Sequence, residues 1–175
     1  VYVPVLNIDV GVFVTDRYLY VFPALDDCHD RLIFIVHAGF GVACNIGAKL
    51  AKTEFILFLN PDCRLENDTI EKLLLAASKY PELVAANPLF EDKKGKLSFK
   101  RKSRLIPAKL WVQKSLPAKD HFVPTLLGAA FFVRAEKFYE IGGFDENIFL
   151  FFEDDDLSLR LSKSPQALML IHNAI

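Results

Sequence analysis

Residues 54 to 62 read EFILFLNPD, an apolar run that stops abruptly at Asn60, Pro61 and Asp62. A run that is apolar on both faces is typical of a strand whose sheet is covered on both sides. The other runs of this kind occupy residues 1–6, 10–15 and 31–38. A helical stretch at 43–52 separates the last of them from EFILFLNPD. This alternation predicts an α/β fold with a largely parallel central sheet flanked by helices.

The composition fits one globular domain spanning residues 1–175. Hydrophobic residues make up 52% of the chain, enough for a substantial core, and the formal net charge is −1. A charge balance so close to neutral gives no general attraction to nucleic acid, and we expect no nucleic-acid partner. No apolar run reaches the roughly 20 residues that span a bilayer, and no secretory signal opens the chain. We therefore expect a cytoplasmic protein.

The strand and helix signals continue along the second half of the chain. Helical spacing at 69–80 ends at Pro81, and an apolar run at 83–90 predicts the next strand. A strand at 128–134 and a short helix at 135–141 follow, and two glycines end that helix.

A basic excursion interrupts this rhythm between residues 93 and 119. It holds ten of the 21 basic residues of the chain and no acidic residue. Such a run is either a solvated, poorly structured loop or a surface for an anionic partner, and the sequence leaves both open.

Two short motifs lie where α/β proteins bind ligands. Asn60 to Asp62 would lie at the C-terminal edge of the sheet, where open α/β sheets bind ligands, but Asn-Pro-Asp is also an ordinary turn. Gly39 and Gly41 join a strand to a helix, which is compatible with a dinucleotide site. Cys44 stands where the third glycine of that fingerprint belongs, so structural turn glycines are the alternative.

Four consecutive acids, Glu153 to Asp156, directly follow the aromatic run 149–152. They fit the first turn of a helix, with Asp156 pairing with Arg160 four residues later. A carboxylate beside apolar walls has a raised pKa, whereas a nearby cation lowers it. The cluster could therefore serve acid–base chemistry as well as the helix start.

Read together, the segments GFGVACNIGAKLAKTEFILFLNPD (39–62) and LLGAAFFVRAEKFYEIGGFDENIFLFFEDDDLSLR (126–160) resemble family 2 glycosyltransferases of the GT-A fold, in particular the rhamnosyltransferase-like branch. The resemblance implies a Rossmann-like, mostly parallel sheet. It also implies an enzyme that transfers a sugar from a nucleotide-diphosphate sugar to an acceptor, with inversion, and that takes part in cell-envelope polysaccharide synthesis. Residues 1–90 would form the donor half and 120–175 the acceptor and catalytic half.

The resemblance carries roles for specific residues. Asp154 corresponds to the catalytic base, and Glu153 would orient the acceptor or support the base. Asp62 corresponds to the ligand of a divalent metal, Mg²⁺ or Mn²⁺, while Asn60 stands where the family usually has a first acid. Gly128 and Ala129 match a small-residue turn that lets backbone approach the donor sugar.

The resemblance also implies residues that contact the nucleotide, the acceptor and the metal. The nucleotide would lie near Asp16, Gly39 and Asn45. Acceptor-side contacts would come from Asp145, Asp156 and Arg160. His172 either joins the metal or is a hydrogen-bonded structural histidine, because it comes earlier in the chain than the family pattern has it.

The partners implied are a nucleotide-diphosphate sugar and a glycan or lipid-linked saccharide acceptor. The basic stretch 93–119 would touch a lipid-diphosphate acceptor or the inner face of the membrane. The family pattern has more residues between its first two strands and after Arg160, so we expect that loops are missing from this sequence. Two rival hypotheses are a catalytically disabled sugar-nucleotide or glycan-binding domain of the same fold and a dinucleotide-dependent oxidoreductase.

Overall fold

The structure is a computed structural model that describes residues 2–3, 8–14, 18–22, 31–34, 39–163 and 167–175. The strands run as follows: β1 Tyr2–Val3, β2 Ile8–Val14, β3 Tyr18–Phe22, β4 Arg31–Phe34, β5 Phe55–Leu59, β6 Ala85–Pro88, β7 Phe90–Glu91, β8 Leu97–Ser98, β9 His121–Phe122, β10 Ala130–Arg134 and β11 Leu168–Ile171. The α-helices are α1 Phe40–Ala48, α2 Thr69–Lys79, α3 Ala135–Glu140 and α4 Glu153–Leu161, and a 3₁₀ turn covers Ala108–Leu110.

The main sheet has the strand order β4-β3-β2-β5-β10-β6-β11-β9, and β1 pairs with β2 outside this path. The pairings β2–β5 and β6–β11 are parallel, while β10 lies antiparallel between β5 and β6. Because β3 is antiparallel to both of its neighbours, β2, β4, β5, β6 and β11 share one direction. The predicted α/β class is confirmed, with a mixed sheet whose described strands mostly point one way.

Strands β5, β6, β10 and β11 are buried on both faces, as their apolar runs predict. In β5, Phe55, Leu57 and Leu59 belong to the core cluster that includes Leu73 and Leu74 of α2. The alternate residues of the same strand point into the opposite cluster with α1, α3 and α4. Side chains alternate between the two faces of a strand, so a strand covered on both sides needs apolar residues at every position.

The N-terminal strands differ from the pattern of the family. By the resemblance, residues 1–7 and 8–16 would correspond to the first two strands of the family, which are parallel. In the structure β1 pairs antiparallel with β2, with Tyr2 opposite Asp9 and Val3 opposite Ile8. A parallel connection needs a crossover of about a dozen residues or more, which the chain does not have here. Asp16, the proposed nucleotide contact on this segment, lies outside the described residues.

The basic excursion begins with a small hairpin of β7 and β8. Beyond it, Val112 N donates to Arg101 O at 3.0 Å and the Trp111 indole Nε1 donates to Ser103 O at 3.1 Å. These bonds hold residues 101–112 in a compact loop with little regular structure. In the described part of the chain no helix has the length and apolar character needed to span a bilayer.

Candidate active site

The C-terminal edge of the parallel strands brings two of the predicted segments together, residues 60–62 and the turn before β10. Leu59 at the end of β5 is paired with Ala130 at the start of β10, and Ile171 of β11 is paired with Pro88 of β6. The turn 126–129 before β10 therefore lies at the same edge as residues 60–62 after β5. This is the edge at which open α/β sheets bind ligands.

Asp154 lies at this edge, in the first turn of α4. Its Oδ2 accepts hydrogen bonds from the Gly128 N–H at 2.9 Å and from Lys100 Nζ at 2.9 Å. Its Oδ1 accepts the N–H of Asp155 at 2.8 Å. The Asp154 side chain is 13% exposed, so the carboxylate is mostly enclosed yet reachable from solvent.

Local sequence explains why α4 begins where it does. Glu153, Asp154, Asp155 and Asp156 all lie in its first turn, where negative charge interacts favourably with the helix dipole. Asp156 and Arg160 form the predicted pair four residues apart, with Arg160 Nη2 at 2.6 Å from Asp156 Oδ2. The same arginine donates through Nη1 to the Ile141 and Gly143 carbonyls. In this structure Asp156 and Arg160, two of the three acceptor-side candidates, therefore hold α4 against the preceding turn.

Two residues that the sequence analysis did not single out fix the turn 126–130. Asn87, buried on β6, donates to the Leu127 and Ala130 carbonyls at 3.0 and 2.6 Å, and its Oδ1 accepts Leu127 N at 2.6 Å. Ser158 Oγ accepts Leu126 N at 2.9 Å and donates to the Asp154 carbonyl at 2.6 Å. A buried polar side chain in the middle of an apolar strand, such as Asn87, is the sequence signal that could have shown this.

The Asn60–Asp62 motif joins the same network. Asn60 N donates to Ala129 O at 2.9 Å, and Ala129 directly follows Gly128, whose N–H contacts Asp154. Gly128 itself is confined, because a Cβ at that position would lie 3.3 Å from Asp154 Cβ. Asp62 is exposed beyond this contact. The backbone of the two predicted motifs is thus in direct contact.

The environment of Glu153 shifts the pKa of its carboxyl group. Burial raises the pKa of the Glu153 carboxyl above its ordinary value, and the adjacent Asp154 and Asp155 carboxylates add to the increase. Its own backbone N–H and Lys100 act in the opposite direction. Its Oε2 is buried and has no hydrogen-bond partner among the described residues. Glu153 therefore holds a proton more readily than a solvent-exposed glutamate does.

The loop 143–149 uses three of the predicted ligand-binding residues for its own packing. Asn45 donates to Phe144 O at 2.9 Å and accepts Phe144 N at 2.9 Å. A Cβ at Gly39, whose φ is +88°, would lie 2.9 Å from the Phe149 carbonyl oxygen. Asp145 Oδ1 accepts the Asn147 N–H and side-chain amide, which lower the pKa of the Asp145 carboxyl. The close packing at Gly39 agrees with the alternative that it is a structural turn glycine.

The aromatic run before α4 is open to solvent. Phe149, Leu150 and Phe151 are 63%, 54% and 71% exposed, and Phe151 and Phe152 have positive φ values of 66° and 68°. Left-handed backbone is unfavourable for phenylalanine, so these two residues form a strained bend directly before α4. The run forms the exposed rim beside Glu153 and Asp154.

The residues fit a metal that is held jointly with a diphosphate. Among the described residues no group of three His, Cys, Asp or Glu side chains could hold an ion alone. Magnesium is commonly bound through one or two carboxylates plus substrate phosphates, and the exposed carboxylate of Asp62 at the sheet edge suits that arrangement. Asn60 adds an amide at the same strand end.

His172 and Asp62 follow different strands at the same edge of the sheet. His172 follows β11, which is separated from β5 by β10 and β6, and three strand spacings amount to about 14 Å. Its backbone N–H donates to Asp120 Oδ1 at 3.1 Å. Its buried Nδ1 has no hydrogen-bond partner in the described part of the chain. The role of His172 as a metal ligand therefore stays a prediction.

Lys100 is the main site residue whose role the sequence analysis missed. Its Nζ lies 2.9 Å from Asp154 Oδ2 and 2.7 Å from Asp155 Oδ1, and the side chain is only 12% exposed. In the sequence it is one lysine within a basic run that looks solvated. Lys100 lies between β8 and the compact loop, and its side chain points toward Asp154 and Asp155.

The chain matches a known family and curated relatives. Residues 25–173 match the glycosyltransferase-like family 2. The N-acetylglucosaminyl-diphospho-decaprenol L-rhamnosyltransferases of Mycobacterium tuberculosis strains CDC 1551 / Oshkosh and ATCC 25618 / H37Rv are each 32% identical over 146 residues. Each match covers 69% of this chain and 48% of the relative. The chain therefore spans about half the length of these relatives.

Solved structures agree on the fold. GalNAc-T7 with UDP, GalNAc and Mn²⁺ superposes with a TM-score of 0.55 at 17% identity, covering 77% of this chain and 29% of that protein. Staphylococcus aureus TarS gives a TM-score of 0.52 at 14% identity, covering 78% of this chain and 23% of that protein. The suspected resemblance is confirmed: the chain belongs to the glycosyltransferase-like family 2, with a GT-A fold and relatives of the rhamnosyltransferase type.

Proposed function

We propose that this chain carries the donor site and catalytic base of an inverting, metal-dependent glycosyltransferase that acts in cell-envelope polysaccharide synthesis. The donor is a nucleotide-diphosphate sugar and the acceptor a lipid-linked saccharide. The observation that carries the proposal is the hydrogen bond between Gly128 N and Asp154, next to the contact between Asn60 and Ala129. These bonds gather the metal motif, the small-residue turn and the base at one sheet edge. The family match leaves the oxidoreductase alternative without support.

In the proposed reaction the acceptor hydroxyl oxygen attacks the anomeric carbon of the donor sugar. Asp154 takes the hydroxyl proton as the new C–O bond forms, and the bond to the diphosphate breaks with its electron pair on the departing oxygen. Attack from the face opposite the leaving group inverts the configuration, so a product with retained configuration would contradict this mechanism. Glu153, whose pKa is raised by burial, would orient the acceptor or support the base beside it.

Asp62 would hold the divalent metal, and a bound Mg²⁺ or Mn²⁺ supplies positive charge that offsets the charge developing on the diphosphate. Since Asn60 carries no charge, the diphosphate oxygens would complete most of the coordination. The exposed position of Asp62 leaves room for a donor nucleotide at this edge. The family relationship to relatives named as rhamnosyltransferases favours a deoxyhexose donor and a polyprenyl-diphosphate saccharide as acceptor.

The donor site is tested by Asp62→Ala in calorimetric titrations with a panel of nucleotide diphosphates and their sugars. In the presence of manganese we expect binding to weaken about 10-fold or more, because a coordinating carboxylate is lost. With a chelator present, wild type and variant should bind equally weakly.

Glu66→Ala, an exposed acid in the same loop, is the matched control and should bind as wild type does. Metal-dependent binding that survives in Asp62→Ala would contradict the assignment of the ligand. Wild-type binding to the donor with no transfer to any saccharide acceptor would favour the disabled binding-domain alternative.

We also propose that the basic excursion contacts an anionic membrane surface at which a lipid-linked acceptor is presented. Between Lys102 and Lys119 it exposes the large apolar side chains Leu105, Leu110, Trp111 and Leu116. Exposed basic residues such as Arg104 and Lys109 alternate with them. An apolar surface interleaved with positive charge suits the headgroup region of an anionic bilayer.

Vesicle flotation tests this surface with Arg104→Glu/Lys109→Glu. Each basic residue near anionic lipid contributes about 1 kcal/mol, so losing two should lower partitioning onto vesicles with phosphatidylglycerol about 30-fold. Lys49→Glu/Lys52→Glu carries the same charge change on another exposed segment and should partition as wild type does. Equal flotation of the two double variants would contradict the proposed surface.

A further inference from the structure

Lys100 lies buried at the point where the basic excursion meets the candidate catalytic helix. Its ammonium group is 2.7 Å from Asp155 Oδ1, 2.9 Å from Asp154 Oδ2 and 3.1 Å from the Leu126 carbonyl oxygen. The ammonium group donates hydrogen bonds to Asp154 Oδ2 and to the Leu126 carbonyl, and it forms an ion pair with Asp155. A buried charge is tolerated when it is paired and hydrogen-bonded in this way.

The local charges explain why a cation is needed there. Asp154 and Asp155 are adjacent in sequence and mostly enclosed, with Asp155 only 6% exposed, so their carboxylates repel each other. Arg160, the basic residue of α4 itself, is engaged by Asp156 and the 141–143 turn. Among the ion pairs of the described residues, Asp154 and Asp155 are paired with Lys100.

The contacts also fix the orientation of the Asp154 carboxylate. Oδ2 accepts hydrogen bonds from Lys100 Nζ and Gly128 N, and Oδ1 accepts one from Asp155 N. A carboxylate oxygen accepts about two hydrogen bonds, so the donors of the described residues fill Oδ2 and leave capacity on Oδ1. Rotating the carboxylate would break all three bonds at once.

We propose that Lys100 is a positioning residue for the Asp154 base, so that the basic excursion completes the active site with one inward lysine and leaves Oδ1 for the acceptor hydroxyl. This inference rests on the proposed function of Asp154. It assigns the excursion a role inside the site in addition to its exposed surface. A base held within a narrow range of orientations accelerates proton transfer, and a misplacement of about 1 Å can cost about 100-fold in rate.

A purely structural role is the competing explanation, in which Lys100 only balances the buried charge of Asp155. The variants Lys100→Met, Lys100→Arg, Asp155→Asn and the double variant Lys100→Met/Asp155→Asn separate the two. Turnover at saturating donor and acceptor is measured for each, together with the midpoint of denaturant unfolding. Lys52→Met removes an exposed lysine elsewhere and should behave as wild type in both measurements.

We expect Lys100→Met to lower kcat about 10- to 100-fold with the KM for the donor unchanged within about twofold. The double variant should recover part of the loss in the unfolding midpoint, since Asp155 is then no longer an unpaired charge while Asp154 still is, but should keep the low kcat. Lys100→Arg should recover kcat in part, because the charge is kept while the planar guanidinium cannot reproduce the three contacts.

Recovery of both kcat and stability in the double variant, or a wild-type kcat in Lys100→Met, would overturn the inference. Asp154→Asn measured alongside distinguishes this from a failure of the proposed function. If Asp154→Asn turns over like wild type, the base assignment itself is wrong. If Asp154→Asn is inactive while Lys100→Met is fully active, the base stands and only the role of Lys100 is refuted.

Discussion

Asp154→Asn should lower the rate of sugar transfer by about 10²- to 10⁴-fold, the usual contribution of a general base. The amide keeps the shape of the side chain and can still accept the Gly128 N–H and one bond from Lys100, but it cannot take the proton of an acceptor hydroxyl. Binding of the donor nucleotide, measured by calorimetry, should change little. The measurement is the initial rate of transfer at saturating donor and acceptor.

Asp68→Asn is the matched control, because Asp68 is an exposed aspartate beside the start of α2 and asparagine is an equally good helix cap. Its transfer rate should equal that of wild type. A rate for Asp154→Asn within about threefold of wild type would contradict the assignment of Asp154 as base. Loss of donor binding in that variant would place Asp154 in the donor site instead.

Gly143→Ala should destabilise the fold by about 2–5 kcal/mol. Gly143 has φ +74°, where an L-residue costs about 1–2 kcal/mol, and a Cβ there would lie 2.4 Å from Asn45 Oδ1. Overpacking of this kind costs about 1–3 kcal/mol more. The Asn45 side chain cannot simply move away, since it holds the backbone of Phe144 by two hydrogen bonds. Denaturant unfolding measures the change.

A substitution at Gly142 distinguishes the cost of the backbone conformation from the cost of the contact with Asn45. Gly142 has φ +81°, but a Cβ there would meet nothing within 4 Å. Gly142→Ala should therefore show the backbone cost alone, about 1–2 kcal/mol. In an Asn45→Ala background the extra cost of Gly143→Ala should shrink, because the clash is removed. Equal destabilisation by the two glycine variants would mean that the contact with Asn45 is not what confines Gly143.

Patterns among residues that are close in the sequence predicted most of the helices and strands. The run 54–60 predicted β5, and the helical spacing at 69–80 corresponds to α2 at Thr69–Lys79. The helix predicted at 43–52 begins and ends earlier, at Phe40–Ala48, because Gly39 starts it with a positive φ and residues 49–51 close it in a turn. The pair of Asp156 with Arg160 followed from helix geometry alone.

The resemblance of two motifs also indicated the family and the edge of the sheet at which the site lies. It did not indicate which side chains support that site. The resemblance implies that Asn45 contacts the nucleotide, and in the structure its amide is bonded to Phe144, 99 residues away. Nothing in the spacing of either segment distinguishes an amide that binds a ligand from one that binds backbone.

By itself the sequence determined the α/β class, most of its helices and strands from β5 onward, the acidic start of α4 and the candidate pair of Asp62 and Asp154. These depend on period, turn chemistry and charge within a few residues, which a sequence displays directly. Only the tertiary structure decided that Lys100 meets Asp154 across 54 residues and that Asn87 holds Leu127 across 40. Such contacts depend on how the sheet edge and the excursion pack together. The sequence of a basic run does not show which of its lysines is solvated and which is enclosed.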